Sequence, residues 1–292
     1  MSLNVDIRRM SGVLLIIVSA VSFGTLAVLA PIAYRAGTDP ISLLFLRFAI
    51  AAAVMAVVIS ARRVDLPRGK LLLSLLLLGG LGYVTQSLVY FTALSMASAG
   101  LVALVLYLYP ALVALLAVVV LKEPITRPKL IALGLALIGT VFTIGPSGGG
   151  RSLGIVLALT AALLYAIYIV AGDTVMRQAS ALPATTVIMV AAAVVYSGIV
   201  AIRGFKSPST TLGWGAIFAT AIISIVAIGT FLAGLERVGS TNAAVLSTVE
   251  PLVVVLLAAL FLGEAIQPLR LAGGLCILVT VVFLARAEFA AA

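Results

Sequence analysis

The chain has no histidine and a single cysteine, Cys276. A lone thiol closes no disulfide, and without histidine there is neither a Cys/His metal site nor a histidine proton relay. Charge is scarce as well. Only 9% of the 292 residues are Asp, Glu, Lys or Arg, whereas a soluble domain carries about 25%. Asp-rich metal motifs and clustered intramembrane acid–base pairs are also missing, so we expect no enzyme, no catalytic residue, no cofactor and no metal. What fills the chain instead is hydrophobic residues, at 64%, and the expected class is an all-α integral membrane protein.

Taking a membrane span as about 20 apolar residues, the sequence divides into ten: 11–34, 41–61, 70–94, 100–121, 128–144, 152–172, 184–202, 212–235, 241–262 and 268–286. The long uninterrupted runs lack the alternation of a barrel strand, and a helix satisfies its own backbone in lipid. The first run follows Arg8-Arg9 like a signal peptide, but it is over-long for one, and 152–172 is its counterpart in the second half. The net charge of +9 would raise nucleic acid as a partner for a soluble protein; here its distribution follows the positive-inside rule. With the N-terminus inside, 12 basic residues fall on the cytoplasmic side (Arg8, Arg9, Arg62, Arg63, Arg68, Lys70, Lys122, Arg127, Lys129, Arg177, Arg237, Arg286). Five fall outside (Arg35, Arg151, Arg203, Lys206, Arg270), and Arg47 lies within a span. We therefore expect both termini to be cytoplasmic, with the bilayer rather than nucleic acid as the surroundings.

One pattern occurs twice. Pro110 is followed thirteen residues later by Glu123, and Pro251 thirteen residues later by Glu264, each pair shifted by 141 residues. At that offset Leu94 also matches Leu235, Ala103 matches Ala244, and Leu115-Leu116-Ala117 match Leu256-Leu257-Ala258. Apolar matches mean little in this chain, but a proline and a glutamate recurring in register do. Gly145-Pro146-Ser147-Gly148-Gly149-Gly150 reads as a linker. This divides the chain into a first repeat, 1–144, a Gly-rich linker, 145–151, and a second repeat, 152–292. With five spans in each half, the second copy must enter from the opposite face. The expected fold is thus ten transmembrane helices as two inverted five-helix repeats around a central cavity, a construction that suits alternating access.

The run Ala103 to Pro110 to Glu123, continuing into Leu133-Gly134-Leu135-Ala136-Leu137-Ile138-Gly139, and its second copy Leu246-Ser247-Thr248-Val249-Glu250-Pro251-Leu252 to Leu262-Gly263-Glu264, resemble the EamA repeat of the drug/metabolite transporter superfamily. The resemblance covers about 11–286. It implies a ten-helix basket in which helices 1, 3, 4, 6, 8 and 9 line the cavity and the other pairs pack outside. It also implies a bacterial inner-membrane location.

Several residues are candidates for the site. Pro110 and Pro251 sit ten residues into their spans, and a mid-helix proline frees the carbonyl four residues back, Leu106 or Ser247, which either marks a kink alone or offers an acceptor for a substrate ammonium. Tyr83, Gln86 and Tyr90 share a face of the third span. Ser19, Ser22 and Phe23 share one of the first, and Tyr165 and Tyr168 one of the sixth; Tyr107, Tyr109 and Thr248 lie near the kinks, where the two tyrosines, two residues apart, cannot both face the same way. A buried tyrosine needs a partner for its hydroxyl, so these faces should point inward, toward substrate or toward neighbouring helices. Glu250 is the acid deep within a span and a functional candidate by default, for substrate or a coupling proton; the first repeat has Tyr109 at the equivalent place, and the alternative is a structural or packing role. Arg47 is expected to snorkel outward or pair with Glu264, while Glu123 and Glu264 read as gate groups or as solvated helix ends. Ala132, Ala136 and Thr140, with Ala272, Cys276 and Thr280, permit close helix approach, expected inside a monomer, with a dimer interface as the alternative. Aromatic walls with few charges suit a partly apolar small molecule. The resulting expectation is an exporter of aromatic and other apolar amino acids; the alternative is a broad exporter of hydrophobic drugs or cations.

Overall fold

A computed structural model describes residues 2–120, 127–144, 151–247 and 249–291, and every regular element among them is helical. The helices are α1 (Ser2–Arg35), α2 (Pro40–Ala61), α3 (Gly69–Leu77), α4 (Val84–Leu94), α5 (Ala99–Leu106), α6 (Tyr109–Val120), α7 (Arg127–Ile144), α8 (Ser152–Met176), α9 (Ala181–Arg203), α10 (Thr211–Leu246), α11 (Val249–Leu257) and α12 (Pro268–Ala291). Two π-helical stretches interrupt them, Leu78–Tyr83 between α3 and α4 and Ala258–Leu262 after α11. Six stretches are long and apolar enough to cross a membrane: Met10–Arg35, Pro40–Ala61, Gly69–Leu94, Ser152–Met176, Ala181–Arg203 and Thr211–Val238. Shorter apolar segments, Ala99–Val113, Gly134–Thr143, Val249–Leu262 and Leu271–Thr280, fall where the sequence marks its fourth, fifth, ninth and tenth runs.

Two boundaries differ from expectation. The sequence places a break near 236–240, but α10 continues as one helix to Leu246; that segment holds no proline, and its one glycine costs a helix only about 1 kcal/mol. The fourth run, in contrast, is cut. α5 ends at Leu106, a turn follows at Tyr107-Leu108, and α6 restarts at Tyr109. Pro110 therefore sits in the first turn of a new helix, where its missing N–H goes unnoticed, and not at a mid-helix kink. Pro251 likewise falls in the first turn of α11.

Long antiparallel pairs build the bundle. Along α1 and α10, Gly12 lies against Val238 and Ser19 Oγ donates to the Ala227 carbonyl at 2.8 Å, while at the far end Ala36 meets Gly213. α2 pairs with α9 by stacking Phe48 on Tyr196, ring centroids 5.6 Å apart, and Phe45 stands edge-on to Phe205 just past the end of α9. α7 meets α12 backbone to backbone: a Cβ at Gly273 would stand 2.4 Å from Thr143 N and 2.6 Å from the Gly139 carbonyl. Ala136, Thr140 and Thr280 of the small-residue stripe are buried at this contact. The pairings α1 with α11 and α5 and α6 with α8 complete the centre.

Connections gather at one end. Ser209 N donates to the Ala36 carbonyl at 2.8 Å and Lys206 Nζ lies 3.8 Å from Asp39 Oδ2, tying 36–39 to 204–210. Arg151 N donates to the Met96 carbonyl at 3.0 Å, and Arg35 Nη2 to the Leu262 carbonyl at 3.3 Å. Asp39 also starts α2, accepting Ser42 N at 2.8 Å ahead of Pro40 at the first helical position.

Candidate functional site

At the centre, α1, α2, the first π-helical stretch, α4, α5, α8 and α11 line a cavity. Phe23, Tyr83, Tyr90, Phe91 and Tyr165 supply rings, Leu26 and Leu106 aliphatic surface, Gln86 and Ser87 polar groups, and Arg47 and Glu250 the two charges. No ion pair joins Arg47 to Glu250. Rings continue outward from the wall: Tyr83 to Tyr168 at 5.4 Å, Tyr165 to Tyr168 at 6.3 Å and Tyr165 to Tyr109 at 4.7 Å.

Arg47 neither snorkels nor pairs with Glu264. It is 1% exposed, its Nε donates to Ser224 Oγ at 2.5 Å and its Nη2 to the Tyr83 hydroxyl at 3.0 Å. Its guanidinium lies 4.8 Å from the Phe48 ring centroid and 5.0 Å from that of Phe91. The second helix, expected outside the basket, thus puts its one charge on the cavity wall, because three aromatic rings and a serine of α10 offer a better lodging than lipid. Glu264 is occupied elsewhere: its two oxygens accept Ala99 N at 2.7 Å and Gly100 N at 3.1 Å. It caps the start of α5.

The break before Pro251 is repaired across the molecule. The Ser247 carbonyl, which Pro251 cannot bond, accepts the hydroxyl of Tyr107 as well as Glu250 N at 2.9 Å. That carbonyl is already partnered, so its expected role as an acceptor for a substrate ammonium gives way to a structural tie. The same Tyr107 hydroxyl lies 3.0 Å from Glu250 Oε2, which fixes the carboxylate against the cavity. A tyrosine hydroxyl has one proton, and the two acceptors share its approach.

Of the residues marked in the sequence, the structure brings Phe23, Tyr83, Gln86, Tyr90, Tyr165, Glu250 and Arg47 to this cavity. Tyr107 and Tyr168 stand behind them. Ser22 is elsewhere, its hydroxyl turned back to the Val18 carbonyl of its own helix at 2.7 Å, while Ser19 makes the interhelical bond. Thr248 and Glu123 lie outside the described residues. Sequence reasoning passed over Ser87 and Phe91, although Ser87 follows Gln86 and Phe91 follows Tyr90 on the same helix.

The family model described as the EamA-like transporter family matches the chain twice, over residues 10–145 and 152–286. The chain belongs to that family. Two curated relatives of this EamA-like chain come from Bacillus subtilis (strain 168). The uncharacterized transporter YyaM is 25% identical over 257 residues, 80% of this chain and 81% of its own. The uncharacterized transporter YcbK is 23% identical over 277 residues, 90% and 89%. One solved crystal structure has the same fold, with a TM-score of 0.72 at 22% identity over 96% of this chain and 99% of that one. The EamA-like chain is a multi-pass membrane transporter.

Its cavity makes a graded mutational prediction. Gln86→Ala or Tyr165→Phe should weaken apparent substrate affinity several-fold, since each lost hydrogen bond contributes about 1 kcal/mol, with melting behaviour retained. Tyr83→Ala should also destabilise the fold, because Tyr83 anchors Arg47 and packs on Phe48 at 5.6 Å. Transport assays beside melting curves in detergent check both; unchanged transport in Gln86→Ala and Tyr165→Phe would assign these side chains to packing.

Proposed function

We propose that the protein exports amino acids with aromatic or other apolar side chains from a bacterial cytoplasm, by alternating access between two inverted five-helix halves. The observation that carries the substrate class is the cavity itself: five aromatic rings for an apolar body, and the carboxylate of Glu250 for an ammonium. Length, expected span number and short loops resemble those of the amino-acid exporter YddG. A hydrophobic cation would use the same rings and the same acid, and the test must separate the two.

The inverted arrangement is supported by the helix pairings. Exchanging each segment for the one five places along turns the first-with-eighth contact (α1, α10) into the third-with-sixth (α4, α8), and the first-with-ninth (α1, α11) into the fourth-with-sixth (α5 and α6, α8). The second-with-eighth contact (α2, α10) becomes the third-with-seventh (π-stretch and α3, α9), while α2 with α9 and α7 with α12 map onto themselves. A pseudo-two-fold axis in the membrane plane has this consequence. The gathered connections carry the few outside charges of the positive-inside count, so that end faces out and both termini face in. Labelling single cysteines with an impermeant reagent in a Cys276→Ala background checks it: Ser207→Cys should react from outside and Leu66→Cys should not; the reverse pattern would invert the protein.

Transport is tested by counter-flow in proteoliposomes. Loaded with unlabelled phenylalanine or leucine, vesicles should accumulate the labelled amino acid transiently without a pH gradient, since we place no obligatory proton on Glu250. Exchange of lipophilic cations in place of amino acids would favour the drug exporter.

A further inference from the structure

Arg47 is bonded on only part of its guanidinium. Nε and Nη2 have their partners in Ser224 and Tyr83, yet Nη1 is buried with no hydrogen-bond partner among the described residues. The Tyr90 hydroxyl is in the same condition, and both residues line the central cavity. They meet on one aromatic neighbour, Phe91: the Tyr90 ring is 5.6 Å from it and the Arg47 guanidinium 5.0 Å.

Buried polar groups in native proteins are almost always partnered, and a charge held out of water without an anion is costly. An arrangement that merely bolted α2 to α10 and to the π-helical stretch would be complete with Nε and Nη2. The leftover donors, one charged and one neutral, belong to two residues that line the central cavity, and a guanidinium edge matches the geometry of a carboxylate.

We propose that Arg47 Nη1 and the Tyr90 hydroxyl bind the carboxylate of the transported solute, with its ammonium directed to Glu250. The inference rests on the amino-acid reading and deepens it, turning Arg47 from a helix bolt into the specificity-determining residue. Glu250 alone would accept any amine. Arg47, a second charge of the opposite sign in a desolvated cavity, repels a bare cation and requires a substrate that brings its own anion. The aromatic rings then take the side chain.

The test compares competitors of labelled phenylalanine counter-flow in proteoliposomes: phenylalanine, phenylalaninamide, which lacks the carboxylate, and 3-phenylpropanoate, which lacks the ammonium. Phenylalanine should compete at least about tenfold better than the amide, the size of one lost charge-assisted contact. Arg47→Gln should erase that discrimination, and Tyr90→Phe should reduce it. Since Arg47 also holds helices together, its variants are first checked for monodispersity and melting temperature; if they do not fold, the wild-type comparison and Tyr90→Phe decide. Equal competition by acid and amide would overturn the carboxylate site while leaving amino-acid transport standing. The reading and the site separate in the opposite direction if no amino acid exchanges but binding of 3-phenylpropanoate, measured directly by its stabilisation of the purified protein, depends on Tyr90. Absence of both would overturn the two together.

Discussion

Replacing Glu264 with alanine should open the bundle at the end where α5 begins. In the described conformation its carboxylate holds two of the amides at the start of α5, which have no partner inside their own helix, and it sits at the positive end of the helix dipole. A charged acceptor lost from two backbone donors costs about 1–3 kcal/mol, enough to shift a two-state equilibrium roughly five- to 150-fold. Beside the clamp, Gly100, Leu104, Val255 and Ile266 line a small groove in which Leu104 is 3% exposed. A cysteine at Leu104, with Cys276 replaced, should therefore label slowly in the parent and at least several-fold faster in Glu264→Ala. Glu264→Gln should fall between them, because its amide oxygen still accepts one bond but carries no charge. Equal labelling in all three would mean that the clamp holds nothing shut.

The largest effect on stability should come from Gly273→Leu. At this point α12 lies so close to α7 that even one methyl carbon would overlap Thr143 N and the Gly139 carbonyl, and backbone cannot step aside as a side-chain tip can. Overpacking of this kind costs about 1–3 kcal/mol for a modest misfit, and leucine should exceed alanine. Gly134, on α7, is the control: a Cβ there meets nothing within 4 Å, so Gly134→Ala should keep or raise the melting temperature. Thermal unfolding in detergent separates the variants. A Gly273→Leu protein melting with the parent would show that the two helices are free to part.

Apolar runs and the doubled proline and glutamate made the helices readable, because length in lipid and register between copies are properties of the chain itself. The tyrosines on the third and sixth runs were readable for a similar reason: a hydroxyl in hydrocarbon has to face something. Arg47 was not. Its depth follows from counting residues, but the direction it faces depends on Ser224, which is 177 residues away, and on the π-helical stretch that presents Tyr83. The partners of Glu264 were not legible either, because they are the backbone amides of Ala99 and Gly100, which every residue has and no sequence advertises. The restart of the helix before Pro110 shows a third limit, since proline announces that a helix changes without saying whether it bends or begins again.

The bond from Tyr107 to the Ser247 carbonyl links the two halves at the points where both of their spans are broken. When two bodies rock, displacement grows with distance from the pivot, so a contact near the middle of the membrane survives a rotation that pulls the ends apart. Glu264 is at such an end; Tyr107 is not. In the alternating-access mechanism proposed above, the tie acts as a fulcrum, and its loss in Tyr107→Phe, which also frees the Glu250 carboxylate, should appear as slippage, with turnover falling more than affinity for the solute.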